Sequence, residues 1–283
     1  MTLLSFIVGI IGSRDTVVRA ADNFIEVQNL LLNYNLKLIL VHQTDNADDV
    51  EFLTKTFSEN KSVLYISTQD YGLSNARNIG LDRNSSKYVM FLDDNSYFDE
   101  KILDKLLVML NTQKSPKALI IGVRGVDRSS STHSKYKSEC LVSIDKFPGR
   151  VCSNGIVVKY EIAKSLKFNC DLGVGAKYGA CEDWDFVWRL TKVCDQISYI
   201  PSLYVIHPPA GKFSNTKSYN YGMGHGYFVK VVCNGSFGTH ELLFVLNRLI
   251  VFAAKTIFGI LLNSANARAW SKGFINGFFV KNA

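Results

Sequence analysis

Between residues 3 and 123 the chain alternates five apolar runs of strand length with stretches whose apolar residues recur at helical spacing. The runs are 3–11, 36–41, 63–67, 88–92 and 118–123. The helical stretches are 16–34 (Val17, Ala21, Phe24, Val27, Leu31), 48–57, 73–81 and 99–110. A strand that is apolar at nearly every position must be covered on both faces, and connections of helical length join strands in parallel. The pattern predicts an α/β fold with a mostly parallel central sheet and helices on both faces. Further strands are predicted at 155–158 and 197–201, and another apolar run ends at His207. Residues 182–193 read as a helix with Phe186, Val187, Leu190 and Val193 on its buried side. The polar, Ser-rich stretch 127–137 has no apolar period and reads as a mobile loop beside the site or over it.

The formal charge of +7 on the 283 residues is unevenly placed. Residues 209–283 carry eight Lys or Arg against one acid, Glu241, while the first 208 residues hold 24 of each sign. A boundary is therefore expected after Pro208, between a catalytic body at 1–208 and a basic, apolar helical region at 209–283. A basic tail on a neutral body points to an anionic phospholipid surface as partner, with no role for nucleic acid. Within the tail, 242–262 is long and apolar enough to span a bilayer, yet it contains Asn247, Arg248 and Lys255. Arg248 and Lys255 lie seven residues apart and share a helical face with Glu241, which predicts a helix lying in the membrane interface with its basic stripe outward. A packed soluble helix and a spanning helix are the alternatives. The six cysteines form no CxxC pair, so a zinc site or disulfide framework is not expected, and buried free thiols in a reducing compartment are. Residues 1–11 lack a basic flank and a cleavage site, and read as a buried strand rather than a signal peptide.

The chemistry concentrates at two acidic clusters about ninety residues apart. Asp93, Asp94 and Asn95 follow the run 88–92, which places hard oxygen ligands at the carboxyl edge of the sheet, where open α/β sheets bind ligands. Such oxygens suit Mn²⁺ or Mg²⁺ carrying a phosphorylated substrate; a solvated acidic turn is the other reading. Gly72 precedes a short helix whose start offers unpaired N–H groups, and Arg77 adds a fixed positive charge for a phosphate; alternatively Ser74 and Asn75 only cap that helix. Glu182 and Asp183 open a helix about 100° apart, so one can face a cleft as base while the other supports the helix dipole. Arg189, near the same face, can reach a phosphate or one of these acids. His207, at a strand end beside a suspected metal, is a candidate ligand.

The order and spacing of five blocks over residues 3–208 resemble the bacterial family 2 glycosyltransferases. They are 5–14, 72–80, 91–95, 168–189 and 199–208, and the run from Phe168 through Glu182 and Asp183 is the most specific of them. Tyr221 to Phe228 also resembles a Tyr- and Gly-rich tail segment of polysaccharide-building members. The resemblance implies a GT-A fold, a nucleotide-diphosphate sugar donor, a divalent metal, inversion at the anomeric carbon, and a glycan or lipid-linked acceptor on the inner face of the cell membrane. Carried over by motif, Asp183 is the base with Glu182 beside it. Asp93, Gly12, Ser13, Arg14, Asp45, Ser74, Arg77, Asn78 and Arg189 would bind the donor, and Asp94, Asn95 and His207 would lie at the metal. The chain departs from the pattern at His42, where an acid usually contacts the base of the nucleotide, at Asn95, and at Cys181, where a glycine often precedes the acidic pair. A sugar nucleotidyltransferase is disfavoured because Gly12-Ser13-Arg14-Asp15 is too short for that class's loop. A catalytically inactive nucleotide-sugar-binding protein on the same fold is the rival from another class.

Overall fold

The computed structural model describes residues 1–127, 135–208, 211, 213–235 and 237–280. Four parallel strands, β1 (Leu4–Ile10), β2 (Leu36–Gln43), β3 (Val63–Thr68) and β4 (Tyr88–Leu92), alternate with helices α1 (Arg14–Leu30), α2 (Ala47–Phe57) and α3 (Leu73–Asp82). After α4 (Glu100–Leu110) come β5 (Ala118–Arg124), the short β6 (Cys140–Leu141), β7 (Ile156–Lys159), α5 (Tyr160–Leu166), α6 (Glu182–Val193) and β8 (Ser198–Ile206). The sheet has eight strands in the order β3-β2-β1-β4-β7-β5-β8-β6. β7 is antiparallel to both its neighbours and β6 to β8; the remaining pairs are parallel. The two predicted runs 197–201 and the one ending at His207 are a single strand, β8, whose register shifts opposite Ile121 and Gly122. The irregularity there separates the two runs in register while the strand continues.

Alternation along each strand divides the core. On β1, Phe6, Val8 and Ile10 pack with Val17 and Ala21 of α1, Leu53 of α2 and Leu103 of α4. Ile7 points the other way, into a cluster with Ala76 of α3, Ala163 of α5 and Phe186 of α6. The second cluster does not stop at residue 208. Helices α7 (Asn215–Asn234), α8 (Thr239–Leu261) and α9 (Ala265–Phe278) contribute Phe228, Phe244, Trp270 and Phe274 to it. The helices after residue 208 therefore share this core with the sheet. Residues 128–134, within the expected loop, lie outside the described residues.

Within the expected helical region, α7 carries Gly222, Gly224 and Gly226, each of which disfavours an isolated helix by about 1 kcal/mol. Tertiary packing overrides that cost. A Cβ on Gly222 or Gly226 would run into the Trp270 or Phe274 carbonyl of α9, and one on Gly273 or Gly277 would meet the Tyr219 or Met223 carbonyl of α7. Two rows of glycines four apart let the backbones touch.

Helix α8 corrects the predicted orientation. Glu241, Phe244, Arg248 and Gly259 are buried, while Leu242, Leu246, Leu249, Ile250, Ile257 and Leu261 are exposed. The polar stripe faces inward and the apolar face outward. Its cations have a polar cleft to line, so the interior of the protein takes the place of water.

Candidate active site

A cleft of about 740 Å³ opens at the carboxyl edge of the sheet, bounded by β1, β2, the acidic turn after β4, the start of α6, and α7 and α8. Its floor is set by α3. Ser74, Arg77 and Asn78 lie three and four residues apart, hence on one helical face, and all three point at the run 168–182. Ser74 Oγ donates to the Leu172 carbonyl at 2.6 Å. The Asn78 amide donates to the Phe168 carbonyl at 2.9 Å and accepts from the Phe168 N–H at 2.7 Å. Arg77, fully buried, donates to Glu182 Oε1 at 3.0 Å and faces Asp93 Oδ1 at 3.7 Å, with its guanidinium over the Phe168 ring. These three side chains, expected on a phosphate, are committed to protein groups. Arg77 instead joins the two acidic clusters, reaching Glu182 105 residues further along the chain.

Arg189 is likewise redirected. It pairs with Asp185 Oδ2 at 2.7 Å and donates to the Leu166 and Lys167 carbonyls at the end of α5, away from Glu182 and Asp183. Arg14 lies over the Phe52 ring on the outer surface, Ser13 starts α1 without a side-chain cap, and Asp45 is exposed; none of them lines the cleft. Gly12 serves through its carbonyl, which accepts from His42 Nε2 at 2.9 Å, while His42 Nδ1 meets Tyr65 Oη at 3.0 Å. His42 is thus a strap between strand ends. Its neighbour Gln43 lines the cleft, buried, with neither Oε1 nor Nε2 hydrogen-bonded. Register explains the shift: on a strand, adjacent residues point to opposite faces.

Of the acidic turn, Asp93 is the anchored member. Asn154 accepts from its N–H at 2.7 Å and donates to its Oδ2 at 2.9 Å, and His207 Nε2 approaches the same oxygen at 3.4 Å. Burial opposes its charge, but His207, Arg77 and Asn154 together hold its carboxyl below the usual range, and the same contact raises His207. Asp94 is raised, by burial and by the Asp93 charge beside it. Asn95 is exposed and lines a neighbouring groove against α1 rather than the cleft, so it leaves the predicted metal set. Among the described residues no three His, Cys, Asp or Glu side chains form a ready metal cage. A cation bridging phosphates needs only one or two protein oxygens, however. Asp94, ionisable and repelled by Asp93, fits that requirement, and His207 is already turned onto Asp93.

At the other end of the cleft the two acids of α6 separate. Glu182 is taken by Arg77, whereas Asp183 keeps a carboxyl in the cleft, accepting the Trp184 N–H at 2.8 Å, with no ion pair to it among the described residues. Burial and the Glu182 charge raise Asp183 to about 7. Glu182 is accordingly corrected from catalytic candidate to partner of Arg77. Cys181 takes the place of glycine with φ 70°, in the left-handed region, and its thiol meets His225 Nδ1 of α7 at 3.2 Å. The helix starts there because a left-handed residue turns the chain sharply into α6. Lining residues that sequence reasoning passed over are Gln43, Asn154, Lys217, Tyr221 and His225. The readable signals were the Asn154-Gly155 turn before an apolar run and the Tyr221–Phe228 segment, which carried a resemblance without a role. All six cysteines are free; Cys152, Cys181 and Cys194 are buried, whereas Cys140 is half-buried and Cys170 and Cys233 are exposed.

A mostly parallel sheet with carboxylates at its carboxyl edge, facing a raised carboxyl at a helix start, is the arrangement of the GT-A class of glycosyltransferases. The sequence profile of glycosyl transferase family 2 matches residues 5–168, and the chain belongs to that family. The chain is 26% identical over 153 residues to the minor teichoic acid biosynthesis protein GgaB of Bacillus subtilis (strain 168). That match covers 50% of this chain and 17% of GgaB, so the chain spans about a sixth of that relative. In three dimensions it is similar to S. aureus TarS 1–349 (TM-score 0.67, 13% identity, covering 98% of this chain and 81% of that one). It is also similar to the same protein in complex with UDP-GlcNAc (TM-score 0.63, 14% identity, 98% and 82%). The mannosyltransferase PcManGT from Pyrobaculum calidifontis, in complex with GDP-Man and Mn²⁺, matches with TM-score 0.60, 12% identity, and coverage of 98% and 87%. At these identities the likeness is one of fold.

Proposed function

We propose that the chain is an inverting glycosyltransferase that moves a sugar from a nucleotide-diphosphate donor to a glycan or lipid-linked acceptor in surface polysaccharide synthesis of the teichoic acid type. The observation that carries this is the division of labour among the carboxylates. Arg77 pairs with Glu182, Asn154 and His207 anchor Asp93, Asp94 stands beside Asp93, and Asp183 at the other end of the cleft has a carboxyl raised to about 7. A base with that value is ionised in good part at neutral pH and holds a proton well once it has taken one. Asp183 would accept the proton of an acceptor hydroxyl as its oxygen attacks the anomeric carbon and the bond to the donor's diphosphate breaks. Asp93, fixed from three sides, would orient the nucleotide, and Gln43 offers both a donor and an acceptor to its base. A bound Mn²⁺ or Mg²⁺, held by Asp94 with His207 close by, would supply positive charge to the departing diphosphate.

The membrane part of the proposal rests on the outward face of α8, the described helix long and apolar enough to cross a bilayer. With its polar stripe lining the cleft, this helix suits an in-plane position on the inner face of the cell membrane, apolar face down. The test is a thermal-shift screen of nucleotide sugars with Mn²⁺, because a bound donor raises apparent stability, followed by donor turnover in wild type and Asp183→Asn. Binding without turnover to acceptor or water would leave a nucleotide-sugar-binding protein instead. No stabilisation by any donor would refute the reading.

A further inference from the structure

Two cations of α8 face into the cleft with no anion opposite them. Arg248 is 8% exposed, lies over the Trp184 ring, and hydrogen-bonds the neutral Asn247 side chain. Lys255 Nζ sits 3.8 Å from the centre of the Trp270 ring. Both line the cleft, and among the described residues neither makes an ion pair. Glu241, the acid on the same helical stripe, is taken by Lys192 and Trp188 on α6. His225 lies in the same wall and is driven down to about 3 by burial and by the two cations, so it stays neutral. Holding like charges out of water with no partner is costly. The arrangement makes sense when an anion arrives.

The position of these cations says which anion. Arg248 lies over the ring of Trp184, the residue after Asp183, and Lys255 over that of Trp270, whereas Asp93 is held by Arg77, Asn154 and His207. The cations therefore stand on the side of the proposed base, away from the carboxylates that would face the donor. Lys217 of α7, exposed at the cleft mouth, adds a third charge from a different direction. A carboxylate presents two oxygens in one plane. A phosphate presents its oxygens tetrahedrally, which suits a guanidinium fork and ammonium groups converging from two helices.

We propose that Arg248, Lys255 and Lys217 form a subsite for a phosphate group of the acceptor, seated beside Asp183. This rests on the transferase reading above. The phosphate belongs either to a soluble polyol phosphodiester or to a lipid-linked phosphate brought in along the apolar face of the same helix.

Lys255→Met, which keeps a stem over Trp270, and Lys217→Ala, at an exposed position, are the test variants in the full chain. Titration of wild type with inorganic phosphate and glycerol 3-phosphate, followed by ³¹P NMR without donor, should show saturable binding that weakens about tenfold in Lys255→Met. Glycerol should not bind. In transfer assays KM for a glycerol phosphodiester oligomer, or for a phosphate-bearing lipid in vesicles, should rise while KM for donor holds, and whichever acceptor responds identifies the source. Equal phosphate binding by wild type and both variants overturns the subsite. So does glucuronate binding as tightly as phosphate, or phosphate competing with donor rather than acceptor. Because the NMR titration needs no donor, a failure of the transferase reading would register separately, as absence of nucleotide-sugar binding.

Discussion

Replacing Asp183 by Asn should make the protein more stable while nearly abolishing its activity. The carboxyl is moved from an ordinary 3.8 to about 7 by burial and by Glu182. Keeping it ionised above pH 7 costs about 4 kcal/mol at that displacement. Solvent in the open cleft screens part of this, leaving about 1–2 kcal/mol for an uncharged amide to recover. Asparagine retains the oxygen that accepts the Trp184 N–H, so no hydrogen bond is lost. The sign follows from linkage. A carboxyl raised in the folded state destabilises it as pH climbs from the unfolded value through about 7, so the variant's advantage should be full at pH 8 and absent below pH 4. Urea denaturation of both proteins at pH 4, 6 and 8 measures it. In the same preparations turnover should fall roughly 10²–10⁴-fold, and wild-type kcat/KM should fall as pH drops below about 7, where Asp183 takes up its proton. A variant less stable than wild type at pH 8, or one with near-normal turnover, would refute the assignment of Asp183 as a strained, free base.

Arg77→Met should cost about 3–5 kcal/mol in urea denaturation, because it leaves buried Glu182 and half-buried Asp93 without their shared cation; a neutral effect would mean the two carboxylates are solvated. Asp94→Ala should weaken donor and Mn²⁺ binding together in calorimetry, with Asn95→Ala doing less since it lines another groove; indifference of donor binding and turnover to EDTA would remove the metal. Ile250→Lys, at a position 68% exposed on α8, should leave the melting temperature in solution unchanged and lower co-sedimentation with anionic vesicles about tenfold or more. Sedimentation equal to wild type would move the membrane contact elsewhere.

Much of this was written in local pattern. Fully apolar runs such as Tyr88–Leu92 specify a strand covered on both faces, and acids directly after it must emerge at the strand's carboxyl end. Glu182 and Asp183 likewise announce a helix start, since carboxylates favour its positive end. Periodicity, however, assigns a residue to a face of its own element and says nothing about what that face meets. Ser74, Arg77 and Asn78 form a polar helical face that suits a phosphate as well as it suits the run 168–182, and only packing decided for the latter. Which of two adjacent acids stayed free was settled by a guanidinium 105 residues away. His42 and Gln43 part because the register of β2 turned one toward Gly12 and the other into the cleft. Helix α8 shows the limit most plainly. A stripe of Glu241, Arg248 and Lys255 satisfies the same spacing whether it faces water or a polar cleft, since both solvate charge. Its direction was decided by α7 and α9, whose facing glycines allow the close crossing that completes the wall of the cleft.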